Sequence, residues 1–91
     1  MILVNLLEKY KKLLQKYESS SNQSHIIWMI DEIFKMLENV QEDKIEKLFK
    51  INRWLGFIQG YLYSNLLRTV DELRNETRGI DSELFEILDK R

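Results

Sequence analysis

Few side chains in this sequence can do chemistry alone, and their spacing restricts them further. His25 is the single histidine, and there is no cysteine. A di-iron helical bundle needs Glu-x-x-His pairs on two helices, and a zinc site needs several nitrogen or sulfur donors. Neither set is present, so His25, next to Ser24, reads as a surface residue near a helix start. Carboxylates are more plentiful. Asp43/Glu46 and Glu83/Glu86/Asp89 have the three-residue spacing with which all-helical nucleotide hydrolases hold Mg²⁺. Such a cation needs several converging oxygens. The first pair is better explained as a capping box, and the second group as the solvated side of a last helix. A nucleophilic triad lacks its Gly-x-Ser-x-Gly elbow. The sequence predicts a chain that is not an enzyme, with no metal and no cofactor.

Lys44, Lys47, Lys50 and Arg53 form a basic cluster that could grip phosphates. A nucleic-acid-binding regulator using these four residues is the alternative function. Two features oppose it. The net charge is −1, so no global field gathers a polyanion, and residues 31–43 carry an acidic run that can face the cluster. Residues 70–91 have the outline of a helix-turn-helix. Its second helix would present Glu83, Glu86 and Asp89 to the phosphates and repel them. An ordinary helical corner is the better reading.

These groups must be positioned by helices. Proline and alanine are absent and glycine occurs three times, which excludes linker-rich and turn-dense all-β chains. At 91 residues the chain is one domain, residues 1–91. Apolar residues recur at spacings of three and four along most of it. A first helix spans residues 2–17, with Leu3, Leu6, Tyr10, Leu13 and Tyr17 on one side. Residues 18–24 read as a polar loop, and Ser24 as the N-cap of a second helix over residues 25–39. A third helix runs from Asp43 to about residue 65, opened by the Asp43/Glu46 box. A fourth starts at Thr69, where Thr69 and Glu72 repeat the box, and Gly79 stops it. Asp81 or Ser82 then caps a last helix. The expected fold is all-α: a small bundle of four to five helices around a long central third helix.

Charge alternates along the chain. Residues 1–24 carry +2, 25–43 carry −4, 44–68 carry +4 and 69–91 carry −3. Neighbouring antiparallel helices thus have complementary surfaces, with each exposed pair contributing about 0–1 kcal/mol. No apolar run approaches the roughly 18 residues that span a bilayer. Met1 to Leu7 lacks a basic leader and a cleavage site. A cytoplasmic protein with no membrane partner is expected.

The third helix holds the main anomaly. Gly56 and Gly60 lie four apart inside it, where each costs about 1 kcal/mol relative to alanine. Leu48, Ile51, Leu55, Ile58 and Leu62 form one apolar stripe, and Trp54, Phe57 and Tyr61 a second. A helix apolar on most sides is covered on most sides. The glycines therefore predict close approach of another backbone, from this chain or a second one, and Gly60→Leu is expected to destabilise. The candidate interaction face is Asn52, Gly56, Gln59, Gly60 and Tyr63. Heptad-like spacing in the first helix makes self-association, as a dimer or a homo-oligomeric structural protein, a further expectation. Trp28, Trp54, Phe57, Tyr61 and Tyr63 are the large aromatic groups that dominate interfaces.

The segment Asn52-Arg53-Trp54-Leu55-Gly56-Phe57-Ile58-Gln59-Gly60-Tyr61-Leu62, followed by Thr69-Val70-Asp71-Glu72-Leu73-Arg74 and Thr77-Arg78, resembles small uncharacterised bacteriophage and prophage proteins. They share an Arg-Trp-Leu-Gly-Phe-hydrophobic-Gln-Gly helix, a short turn and a Thr-hydrophobic-Asp-Glu helix. The resemblance covers about residues 52–78. The turn in such relatives often contains glycine, whereas here it is Ser64-Asn65-Leu66-Leu67-Arg68. The resemblance implies a phage accessory protein that binds a host protein, inhibition of a host defence protein being one such role. It implies no catalytic residue. The scarcity of Ala, Gly and Pro beside abundant Lys, Asn and Ile agrees with an AT-rich source.

Overall fold

The computed structural model describes residues 1–17 and 21–90, with the backbone alone for Ser21. Five helices follow in order: α1 (Ile2–Gln15), α2 (Ser21–Glu38), α3 (Lys44–Ser64), α4 (Val70–Thr77) and α5 (Ile80–Asp89). There is no strand among the described residues. The fold is a small all-α bundle. α1 packs on α2, α2 on α3, α3 on α5, and α5 on α1. These four helices enclose the core, and α4 connects two of them from outside.

Helical periodicity builds that core. Leu3, Leu7, Tyr10 and Leu14 of α1 are fully buried, as are Ile30 and Ile33 of α2 and Ile51, Ile58 and Leu62 of α3. Ile26 and Ile80 are buried with them. Burying each such aliphatic side chain contributes about 1.5–3 kcal/mol. α3 is a corner of this arrangement and not its covered centre. Its inner stripe faces the core, while Ile45, Phe49, Phe57 and Tyr63 are exposed.

Several helix ends differ from those the sequence predicts. α2 begins at Ser21, so Ser24 lies inside the helix and caps nothing. The reason is tertiary. Gln23 is buried, and its Nε2 donates to the carbonyls of Leu14 and Tyr17, the latter at 3.2 Å. Those are carbonyls left over at the end of α1, so a polar stretch is drawn into helix. The part of the expected loop at 18–20 lies outside the described residues. Asp43 does precede α3, but its φ of 53° is left-handed and its side chain accepts no cap bond. A capping box needs extended backbone at that position. Asp81 and Ser82 fall within the first turn of α5, behind Gly79.

Other ends follow the expectation. At α4 the Thr69 side chain accepts from the Glu72 N–H, and the Glu72 carboxylate accepts from the Thr69 N–H at 2.9 Å. That bond from the Thr69 backbone holds the Glu72 carboxyl below its ordinary range. Gly79 has φ 85°, and a Cβ there would meet Ile2 Cδ1 at 2.7 Å. Both facts demand glycine. α3 closes in a Schellman motif: the Leu67 N–H donates to the Leu62 carbonyl at 2.9 Å, and the Leu66 N–H to that of Tyr63 at 3.1 Å. The left-handed residue is Leu66, at φ 60°.

One polar cluster enters the core. The Tyr10 hydroxyl donates to Glu76 Oε1 at 3.0 Å and accepts from Gln59 Nε2 at 3.3 Å. Glu76 also takes Arg68 Nε at 3.1 Å and Lys9 Nζ at 2.9 Å. This cluster ties α1 and α3 to the outlying α4. Burial raises the Tyr10 phenol above its ordinary range. A raised acid favours the folded state below the unfolded value, near pH 10, and that contribution is lost as pH rises further. Tyr10→Phe is expected to lower stability by about 1 kcal/mol at pH 7 and to flatten the fall in Tm above about pH 10. An unchanged alkaline profile would contradict this. Leu66 is 92% exposed, so Leu66→Gly removes left-handed strain and little buried surface. Chemical denaturation is expected to show a gain of about 1 kcal/mol.

Candidate interaction face

The basic cluster does not assemble. A step of three residues turns a helix by about 300°, so each next member falls back by about 60°. Lys44 and Arg53 therefore stand on opposite sides of α3. Three of the four are also occupied. Lys44 Nζ donates to the Lys90 carbonyl, and Lys47 Nζ to the Asn39 carbonyl at 2.7 Å. Lys50 Nζ lies 4.9 Å from the centre of the Trp54 ring. Arg53 extends into solvent with no ion pair among the described residues.

Two of the remaining chemical candidates, His25 and Glu83, have local structural roles. His25 stacks on Trp28 at 5.3 Å, and Trp28 meets Trp54 at 5.8 Å, which fastens α2 to α3. Glu83 accepts from the Ile2 N–H and, at 2.9 Å, from the Leu3 N–H. Its carboxylate thus satisfies the positive end of α1. Among the described residues no three His, Cys, Asp or Glu side chains group closely enough to hold a metal ion. No described helix is long and apolar enough to cross a membrane.

The predicted interaction face is mostly on the outside. Asn52, Gly56, Gly60 and Tyr63 are exposed along one side of α3. Gln59 is half-buried and bonded to Tyr10, so it belongs to the polar cluster. A Cβ built on Gly56 or Gly60 meets nothing within 4 Å. Close packing within this chain, as the sequence suggested for them, is therefore overturned.

The same strip continues towards the start of α3. Positions 45, 49, 52, 56, 60 and 63 follow one another at fours and threes, which keeps them on one side. Ile45 is 61% exposed and Phe49 66%. Beside them α5 runs antiparallel to α3, since Lys44 bonds to Lys90 at one end while Asn52 and Asp81 share the other. Phe85, 63% exposed, and Leu88 face outwards from α5. The two helices enclose an open apolar groove of about 410 Å³, floored by Leu48 and Leu84. Sequence reasoning missed Ile45 and Phe49. Their heptad spacing with Asn52 and Gly56 was available, but the buried stripe of α3 accounted for the helix without them.

No protein-family model, no curated protein and no solved structure matches this chain. Fold and surface define a small helical bundle with an uncovered apolar seam on two neighbouring helices. In the isolated chain Gly60→Ala meets no neighbour and improves helix propensity. It is expected to stabilise by about 1 kcal/mol in thermal melts. A lowered Tm would show that the strip is covered in solution.

Proposed function

We propose that this chain is a non-enzymatic interaction module that docks another protein on its α3–α5 face. One observation carries the reading: Ile45, Phe49, Phe85 and Leu88 are all exposed around a single groove. Large apolar side chains scattered singly are ordinary, but gathered in one patch they mark an interaction site. His25 is taken up in a ring stack and Glu83 in holding the first turn of α1, which supports a binding role over an enzymatic one. The dispersal of Lys44, Lys47, Lys50 and Arg53 weighs against the nucleic-acid reading. The resemblance of residues 52–78 to phage proteins supports an accessory protein of that type, with a host protein, a defence protein included, as one class of partner.

The test pairs Phe49→Asp with Phe85→Asp. Both side chains are solvent-facing, so helicity and Tm are expected to change little. Tagged wild-type and double-variant chains are compared in affinity purification from host-cell lysate, with an untagged copy added to reveal self-binding. Recovery of a specific protein is expected with the wild type and to fall at least about tenfold with the variant. Equal recovery by both would sink the reading.

A further inference from the structure

We infer that the outer side of α1 carries an anion site that takes a short oligophosphate chain. The site is separate from the α3–α5 groove, and neither depends on the other. An open trough of about 400 Å³ is lined by Lys9, Lys12 and Lys16 of α1 and by Arg68 from the turn before α4. The three lysines follow one another at steps of three and four, which keeps them on one side of the helix. At 1.5 Å per residue their row is about 10 Å long. Lys12 and Lys16 are exposed and have no ion pair or hydrogen bond among the described residues. Lys9 is shared with Glu76 at 2.9 Å.

Arg68 is the fixed member. Its side chain is 12% exposed, with Nε on both oxygens of Glu76 and Nη1 on the Leu67 carbonyl. The guanidinium lies 5.9 Å from the centre of the Tyr10 ring. Nη2 makes no hydrogen bond among the described residues, and it is not sealed from solvent. A guanidinium already held in place offers that edge to an anion at little cost in ordering. Against the four cations stand Glu8 on the trough wall, Glu76, and Glu72 at 3.9 Å from Arg68 Nη1. The balance is positive, although the whole chain carries −1, so the attraction is local. Shape then selects the anion. A lone phosphate reaches only part of the row, whereas linked phosphates extend from the guanidinium along the lysines and take charge-assisted bonds from each. An acidic helix, about 10–12 Å wide, is too broad to enter the trough.

Sodium triphosphate is titrated calorimetrically into the full chain at low salt and without magnesium, beside inorganic phosphate, ATP and an oligoglutamate peptide. Triphosphate is expected to bind at least about tenfold more tightly than phosphate and to weaken as salt is added. No aromatic side chain among the described residues lines the trough, so ATP is expected to match triphosphate. Lys12→Gln with Lys16→Gln is expected to weaken triphosphate binding at least about tenfold, with little change in Tm because both side chains face solvent. Arg53→Gln with Lys90→Gln removes the same charge elsewhere and is expected to keep binding within about twofold. Glu8→Gln is expected to tighten it. Absence of triphosphate binding, or equal weakening by the two double variants, overturns the site. ATP binding about tenfold tighter than triphosphate overturns the phosphate chain as the recognised part. A peptide that binds more tightly than triphosphate overturns the oligophosphate and gives the trough to an acidic protein segment. Phe49→Asp with Phe85→Asp is expected to leave triphosphate binding unchanged, so failure of the docking face and failure of this site are read separately.

Discussion

The buried hydroxyl of Tyr10 is the point on which α4 is anchored to the bundle. α4 buries no residue of its own completely, so apolar packing fixes it only weakly. Its anchor is Glu76, which takes Tyr10, Arg68 and Lys9 together. A carboxylate with three donors is satisfied at low exposure, where an unpaired one would be costly. With α4 held there, the short turn through Gly79 leads into α5, which Ile80 and Glu83 then fasten directly onto the bundle.

α3 serves two environments at once. Leu48, Ile51, Leu55, Ile58 and Leu62 fill the inner side, and Ile45 and Phe49 present a second apolar edge outside. This explains why the helix looks uniformly apolar as a string of letters. In a chain without alanine, small positions on α3 must be glycine or serine, so Gly56 and Gly60 interrupt the outer edge visibly. They leave room on that edge, and nothing in the same chain enters it.

What was legible in the sequence follows the reach of the forces involved. The extents of α1 and α3 and the Thr69–Glu72 cap depend on neighbours within a turn or two, and they could be read directly. The start of α2 could not, because Gln23 answers carbonyls at the end of α1 and the benefit appears only once both helices meet. Asp43 had the right spacing for a cap, but the tight turn at residues 39–43 imposes a left-handed backbone there. Of the candidate face, Asn52, Gly56, Gly60 and Tyr63 share one exposed side of α3, a placement that helical spacing alone gives. The bond of Gln59 to Tyr10 could not be read, because the two are 49 residues apart. The α5 half of the groove could not be seen, since no periodicity within one helix reveals which neighbour lies alongside it.

The hold of Glu83 on the first turn of α1 has a consequence for the order of folding. The residues involved are separated by 80 and 81 positions. A contact that distant closes a long loop before it returns any stabilisation, so it forms late. Until α5 arrives, the leading N–H groups of α1 are answered only by water and its side of the core stays open to other chains.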